Sequence, residues 1–361
     1  MLLSEYSKSR DNNFNLLRFV AATLVLYSHS FAIQIGDPAA EPLRSSIGMT
    51  WGTIAVDIFF VTSGFLIAGS FFNRKSVLAF SWARVLRIFP GLLVANLITV
   101  FIIGLAFTKL SLGSYLQDLE IYKFLIKNTL LLVSNIQWLL PGVFVDNPVG
   151  AAVNGSLWTL PYELKMYFLL AVVALVFLWF EKKLKKPVIK WVFISLVTIT
   201  LIIKGYNFYL NESLLGKNFI RLFSFFFIGA LFYLYSDKVL LSGKFSGLLF
   251  VLLMLSAIDP SFFMPVYTVT LPYLIFYIAY VPAGKVRLYN NFGDYSYGMY
   301  VYAFPVQQAV MAAYPSASLV EMIIYPFVIT LLLAYFSWQL VEKKALALKN
   351  VYPWQLLSRR S

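Results

Sequence analysis

The sequence contains no cysteine, a single histidine and few charged residues. The absence of cysteine excludes disulfides, thiolate catalysis and cysteine-bound zinc, and we predict no metal site. Charged residues make up 12% of the chain, whereas soluble domains have about 25%. This supply is too small to cover a water-soluble surface, so the composition excludes an ordinary soluble protein.

Apolar residues make up 60% of the 361 residues, and apolar runs continue from residue 14 to residue 342. A membrane-spanning helix needs about 20 mostly apolar residues. We therefore predict an all-α integral membrane protein with a single domain over residues 1–361. It has about ten transmembrane helices, predicted at 14–35, 51–72, 85–107, 158–180, 187–205, 219–236, 245–258, 264–281, 295–314 and 320–341.

The basic residues indicate the orientation of these helices, because cytoplasmic loops are rich in Lys and Arg. The densest basic run is EKKLKKPVIK at 181–190, directly after the predicted span 158–180. With both termini in the cytoplasm, every basic cluster falls on the cytoplasmic side only if residues 124–140 do not cross. We therefore predict a re-entrant or interfacial segment near 124–140. The net charge of +13 is then mostly a signal of topology, and we predict no nucleic-acid partner.

Ionisable residues inside the predicted spans are candidates for function, because they are costly in a membrane. Arg18 and His29 lie eleven residues apart in the first span, so they share one helix face at a separation of about 16 Å. Asp57 and Glu163, in the second and fourth spans, match the predicted depth of His29. A histidine beside a carboxylate is typical of a general base. We therefore predict His29, Asp57 and Glu163 as the catalytic residues.

Each of these residues also has a structural interpretation. Arg18 could extend to the cytoplasmic interface, and a lone histidine in an apolar helix could simply pack. Asp57 and Glu163 could form ion pairs, with Arg18 or Lys165 as partners. The shared face and the matched depth favour a functional group.

Five short segments follow one another along the chain. They are Arg18 with His29, VDIFFVTSGF at 56–65, RVLRIFP at 84–90, WTLPYELKMY at 158–167 and GDYSYGMYVYAFPV at 293–306, and Glu342 follows them. In this order they resemble the acyltransferase-3 family of membrane acyltransferases, which includes bacterial O-acetyltransferases of surface polysaccharides. One position departs from the family pattern, because Ala303 stands where a second histidine is often found. The histidine role therefore falls on His29.

The resemblance implies a multi-pass O-acyltransferase of the bacterial inner membrane. Some relatives also contain a soluble esterase-like domain, and we expect none appended here. The donor would be acetyl-CoA or another acyl-CoA, which is a substrate and not a permanently bound cofactor. The acceptor would be a hydroxyl of a cell-surface or lipid-linked glycan. The sequence does not identify the sugar, the hydroxyl that is modified or the length of the acyl group. It also leaves open whether transfer is direct or passes through an acyl-enzyme, and what the oligomeric state is.

Given this reaction, the charges and side-chain sizes in the predicted spans indicate the substrate contacts. We expect the anionic phosphates of the donor to contact Arg18, with Arg84 and Arg87 nearer the mouth of the site. The small residues Ser63 and Gly64 are expected to form a gap for the pantetheine arm.

For the acceptor we expect contacts with Trp158 and Tyr167, since aromatic rings stack on sugars.

The alternative function is a membrane transporter or lipid-glycan flippase, which also needs many helices and intramembrane charges. Such proteins often contain broken helices and internal repeats, whereas the charges inside the spans concentrate here in the first and fourth. A sensor with His29 as a pH-responsive group is a third interpretation.

Overall fold

The computed structural model describes residues 1–9, 11–74, 76–131 and 136–352. Within them, ten helices coincide with the ten predicted spans. They are α1 Phe14–Ile35, α2 Trp51–Arg74, α3 Val77–Phe107, α4 Gly155–Leu184, α5 Ile189–Tyr209, α6 Lys217–Leu234, α7 Gly243–Ser256, α8 Pro260–Tyr280, α9 Ser296–Ala313 and α10 Leu319–Asn350. The main shorter helices are Leu3–Ser7, Pro42–Ile47, Leu112–Gln117 and Leu119–Leu130. Extended pairing in the described residues is limited to isolated bridges.

Eight of these helices are long and apolar enough to cross a membrane, all except α7 and α9. Helix α7 has 14 residues and is about 21 Å long, less than the roughly 30 Å of a hydrocarbon core. Helix α9 has 18 residues, is almost entirely buried, and includes polar side chains such as Gln307 and Gln308. The all-α membrane class is confirmed, whereas the count of ten and the cytoplasmic position of the termini stay predictions.

The segment predicted not to cross begins in the helix Leu119–Leu130, and its residues 132–135 lie outside the described ones. This helix has 12 residues and is about 18 Å long, too short to span the bilayer. The Asn128 amide donates to the Gln137 carbonyl at 2.8 Å and accepts from the Gln137 N–H at 2.9 Å. The polar residues of this stretch therefore hold a returning chain together.

Helix α2 lies between α1 and α6 in the centre of the protein. Gly64 and Gly229 allow α2 and α6 to pack backbone against backbone. A Cβ atom on Gly64 would lie 1.9 Å from the Phe226 carbonyl oxygen, and one on Gly229 would lie 2.1 Å from that of Val61. The expectation of an open gap at Gly64 is therefore wrong, because α6 fills this space.

Candidate active site

Two neighbouring cavities lie among α1, α2, α4, α6 and α9. The first, called the arginine cavity, has an empty volume of about 500 Å³, and its lining includes Arg18, Ser63, Glu163 and Tyr297. The second, called the histidine cavity, has an empty volume of about 630 Å³, and its lining includes His29, Glu41, Trp158 and Arg221. Val56 and Tyr300 line both cavities, so these two side chains mark the boundary between them.

Helix α1 contributes to both cavities, with Arg18 in one and His29 in the other. This arrangement agrees with the common helix face predicted for the pair. The His29 ring packs against the Phe304 ring, edge to face, with the centroids 5.1 Å apart. Within the described residues, His29 Nδ1 is buried and has no hydrogen-bond partner. Because the His29 imidazole lines the cavity, it is placed for proton exchange with a bound molecule.

Among the described residues, no hydrogen bond or ion pair joins Asp57 to His29, contrary to the expected catalytic pair. Its carboxylate is fully buried, accepts a hydrogen bond of 3.0 Å from the Tyr267 hydroxyl, and lies 3.6 Å from Arg221 Nε. Equal depth in the membrane therefore did not make Asp57 and His29 neighbours. The alternative of a buried ion pair describes Asp57 better, although its partner is on α6.

Glu163 lines the arginine cavity and not the histidine cavity. It accepts a hydrogen bond from the Tyr167 hydroxyl, which lies 3.2 Å from the Ser63 hydroxyl. Tyr167 therefore connects Ser63, which was predicted to contact the acyl donor, with Glu163, which was predicted to be catalytic. Tyr167 itself is buried among these partners, so the expected stacking of Tyr167 on a sugar is not what this geometry offers.

The carboxylate that lines the histidine cavity together with His29 is Glu41, from the loop between α1 and α2. Its side chain is only 1% exposed. It accepts hydrogen bonds from the hydroxyl of Ser28, the residue before His29, and from the backbone N–H of Trp51 at the start of α2. Glu41 therefore ties the loop to both helices that flank the cavity.

The predicted donor-binding residues Arg18 and Arg87 share one carboxylate. Asp294 Oδ2 lies 2.6 Å from the Arg87 guanidinium and 3.5 Å from that of Arg18, and Glu342 lies 3.8 Å from Arg87. Burial raises the pKa of Asp294, but the two arginines and the hydrogen bonds from Ser296 outweigh it and lower this pKa to about 2. A phosphate group would therefore have to share these cations with carboxylates.

Two further predicted residues lie apart from one another. The Arg84 guanidinium lies 5.9 Å from the centroid of the Tyr167 ring, and Arg84 lines neither cavity. Trp158 lines the histidine cavity and packs edge to face on Tyr162, with the centroids 5.8 Å apart. Of the predicted donor-binding residues, only Arg18 and Ser63 line the arginine cavity, whereas Trp158 lines the histidine cavity.

Four residues that shape the site had no role predicted from the sequence: Glu41, Arg221, Asp294 and Tyr300. Two of them, Asp294 and Tyr300, lie in the segment 293–306 that resembles the family pattern. A charge four residues inside an apolar helix was a usable signal for Arg221, because such charges are costly. Glu41 and Asp294 lie in connecting segments, where hydropathy contains no such signal.

Comparisons with known proteins identify relatives over nearly the whole chain. The model of a family described as an acyltransferase domain, Acyl_transf_3, matches residues 11–341. An O-acetyl transferase of Shigella phage Sf6 is 32% identical over 351 residues, which cover 93% of this chain and 96% of that protein. Nodulation protein 10 of Rhizobium leguminosarum bv. viciae is 32% identical over 175 residues, 46% of this chain and 45% of that protein. No solved structure matches the chain significantly. The resemblance based on the sequence motifs is confirmed.

Proposed function

This chain belongs to the acyltransferase-3 family and is an acyltransferase, and on that premise we propose that it moves an acetyl group from acetyl-CoA to a hydroxyl of a glycan. The phage relative is named an O-acetyl transferase, which supports acetyl as the transferred group and oxygen as the acceptor atom. We further propose that the donor enters from the cytoplasm and the acceptor from the outer side of a bacterial inner membrane.

The observation that carries this proposal is the adjacency of the two cavities at Val56 and Tyr300. The arginine cavity contains a cation, Arg18, that suits the phosphates of a coenzyme A donor. The histidine cavity contains a candidate base, His29, and an aromatic ring, Trp158, that suit a sugar hydroxyl. The pantetheine arm then extends past Val56 and Tyr300 until the thioester meets the hydroxyl at the boundary.

In the proposed reaction, His29 accepts the proton of the sugar hydroxyl as the hydroxyl oxygen attacks the thioester carbonyl carbon. The new C–O bond forms, the C–S bond breaks, and the coenzyme A thiolate takes the proton from the imidazolium. Glu41 supplies a negative charge in the same cavity, which stabilises the imidazolium through space. Asp57 acts indirectly, because it faces Arg221, which lines the cavity beside His29. Glu163 positions Tyr167 and Ser63 in the arginine cavity.

The test uses purified protein in liposomes, with radiolabelled acetyl-CoA sealed inside and an oligosaccharide acceptor outside. We expect label on the oligosaccharide outside the vesicles, and a rate of labelling lower by roughly 10²–10⁴-fold with the variant His29→Ala. Oligosaccharide that crosses the bilayer without label would identify a flippase instead. Label that appears only when donor and acceptor are on the same side would contradict transfer across the membrane.

A further inference from the structure

Arg221 lines a second space in addition to the histidine cavity. This space, called the lysine cleft, lies between α5, α6 and α8 and has an empty volume of about 740 Å³. Its lining includes Lys204 and Asn207 of α5, Lys217 and Arg221 of α6, and Met264 of α8. The Arg221 side chain therefore connects the candidate acceptor site with a cationic cleft at the same ends of these helices.

The lysine cleft continues into a third space that is mainly apolar. This space, called the apolar cleft, has an empty volume of about 600 Å³ and is lined by Leu201, Lys204, Gly205, Phe208, Tyr209, Met264, Pro265, Thr268 and Val269. The two clefts share Lys204, Phe208 and Met264. Tyr209 is 64% exposed and Val269 is 70% exposed, as expected of side chains that face the hydrocarbon of a membrane.

The charges of these clefts are unbalanced. The Lys204 ammonium donates to the Thr268 hydroxyl at 2.8 Å and lies 4.3 Å from the centroid of the Phe225 ring. The Lys217 ammonium donates to the Asn211 side-chain oxygen at 2.9 Å. Among the described residues, the ion pair found for these cations is that of Arg221 with Asp57. Lys204 and Lys217 therefore contact neutral oxygens, and neither has a carboxylate within ion-pair distance in the part of the chain that the structure describes.

Lys204 lies in the last two turns of α5 among apolar side chains, where a cation is costly to bury without a counter-charge. An anionic ligand would balance the excess charge, and phosphate oxygens accept charge-assisted hydrogen bonds from both lysine and arginine. The neighbouring apolar cleft would suit a hydrocarbon chain attached to that phosphate.

We propose that the lysine cleft binds the phosphate group of a membrane amphiphile whose hydrocarbon chain lies in the apolar cleft. Lys204 and Lys217 contact the phosphate, and Arg221 lies between the phosphate and the histidine cavity. A saccharide attached to the phosphate would then extend past Arg221 towards His29. In this last respect the inference rests on the proposed function, because it makes the acceptor a lipid-linked glycan.

Binding of lipids to the purified full-length protein in detergent, measured by native mass spectrometry, tests the site directly. The probes are a polyprenyl phosphate, phosphatidylglycerol, an uncharged diacylglycerol and inorganic phosphate. We expect the two anionic amphiphiles to bind at least roughly tenfold more tightly than the diacylglycerol, because each charge-assisted contact is strong. Preference for the polyprenyl phosphate would identify a lipid-linked substrate, whereas equal binding of both would identify an anionic lipid headgroup as the ligand.

The variants Lys204→Gln and Lys217→Gln each remove one cation and retain a donor for Thr268 or Asn211. We expect each of them to weaken binding of the anionic amphiphiles roughly tenfold. Lys190→Gln is the matched control, because Lys190 lies at the opposite end of α5 and faces Asp237. Arg221 is retained because its replacement would leave the buried Asp57 without a cation.

Unchanged binding in both lysine variants, or equal binding of the diacylglycerol, would overturn this proposal. Binding of inorganic phosphate with no preference among the amphiphiles would also overturn it. Acetyl transfer to a soluble oligosaccharide, measured on the same preparations, separates the two proposals. Selective lipid binding without any transfer would contradict the proposed function alone, and transfer without selective lipid binding would contradict the lysine cleft alone.

Discussion

His29 and Arg18 lie on the same face of α1 but in different chemical surroundings. Arg18 shares Asp294 with Arg87, so its charge is partly compensated within the protein. His29 Nδ1 has no hydrogen-bond partner among the described residues. A histidine that only packs gains nothing from a cavity, whereas a base needs room for the group from which it takes a proton. At the residue scale, the surroundings of His29 therefore favour a chemical role and those of Arg18 a binding role.

The first prediction separates these two roles by kinetics. We expect His29→Ala to lower the turnover of acetyl transfer by roughly 10²–10⁴-fold, the usual effect of losing a general base, with little change in acetyl-CoA affinity. Arg18→Ala should instead weaken acetyl-CoA binding by at least roughly tenfold, because a charged contact is lost. Ile35→Ala, at the exposed end of the same helix, is the control. Affinity that is lost in His29→Ala but retained in Arg18→Ala would reverse the assignment.

The second prediction concerns Asp294, whose pKa of about 2 lies below its ordinary value of 3.8. Because this pKa is lowered in the folded state, Asp294 stabilises the protein above about pH 4, and this contribution is lost as the pH falls towards 2. The shift corresponds to about 2 kcal/mol. We expect Asp294→Asn to have a lower unfolding temperature than the wild type at pH 6. The difference in unfolding temperature should be smaller at pH 3. Thermal unfolding of both proteins in detergent at the two pH values measures this difference.

Asp237→Asn is the control for this experiment, because the Asp237 side chain is 60% exposed and its ion pair with Lys190 is loose. Its unfolding temperature should stay close to that of the wild type at both pH values. If the unfolding temperature of Asp294→Asn differs from that of the wild type by the same amount at pH 6 and at pH 3, Asp294 is not a stabilising carboxylate.

At the scale of helices, the central contact is the close approach of α2 and α6 at Gly64 and Gly229. This approach brings Arg221 of α6 to Asp57 of α2 and so completes one wall of the histidine cavity. Both positions must be glycine, because any Cβ would overlap a carbonyl oxygen of the other helix. The helix pair therefore positions the site although neither glycine lines a cavity.

The third prediction follows from this packing. We expect Gly64→Ala to destabilise the protein by about 1–3 kcal/mol or more, because the added methyl group would overlap the Phe226 carbonyl oxygen. Gly247→Ala is the matched control, since nothing lies within 4 Å of a Cβ at Gly247 on α7. Alanine there should be neutral or should stabilise the helix by about 0.5–1 kcal/mol. Thermal unfolding in detergent compares the two, and equal stability of both variants would show that α2 and α6 are not in backbone contact.

The bounds of the helices could be predicted from the sequence more completely than the contacts between them. Hydropathy predicted a span at 14–35, and the structure has a helix at Phe14–Ile35, because lipid solvation acts on each segment separately. Depth in the membrane also follows from sequence position. Which side chains meet across helices depends on rotation and on the order of packing, and neither has a local signal. Asp57 and Arg221 are 164 positions apart, so their contact was not predictable from the sequence.

At the scale of the whole molecule, the proposed reaction requires the two cavities to open on opposite sides of the membrane. His29, Arg221 and Lys204 would then lie in the outer half, and Arg18 and Arg87 in the cytoplasmic half. This sidedness rests on the distribution of basic residues and on the segment near 124–140, which must return to the side from which it came. A helix of about 18 Å, joined at Asn128 to the Gln137 carbonyl, is consistent with such a segment.

The fourth prediction tests this topology, and the absence of cysteine makes it clean, because each introduced thiol is the only one in the chain. Single cysteines replace Ser46 and Asp146, which should lie outside, and Lys186, which should lie in the cytoplasm. The Asp146 side chain is 76% exposed, and its surface ion pair with Lys109 contributes little to stability, so the substitution should be tolerated.

A charged maleimide cannot cross the bilayer, because burying its charge is too costly. In intact cells we expect it to label Ser46→Cys and Asp146→Cys, and to label Lys186→Cys only after lysis. If Asp146→Cys is labelled only after lysis, the segment near 124–140 crosses the membrane, and donor and acceptor would no longer approach the shared boundary at Val56 and Tyr300 from opposite sides.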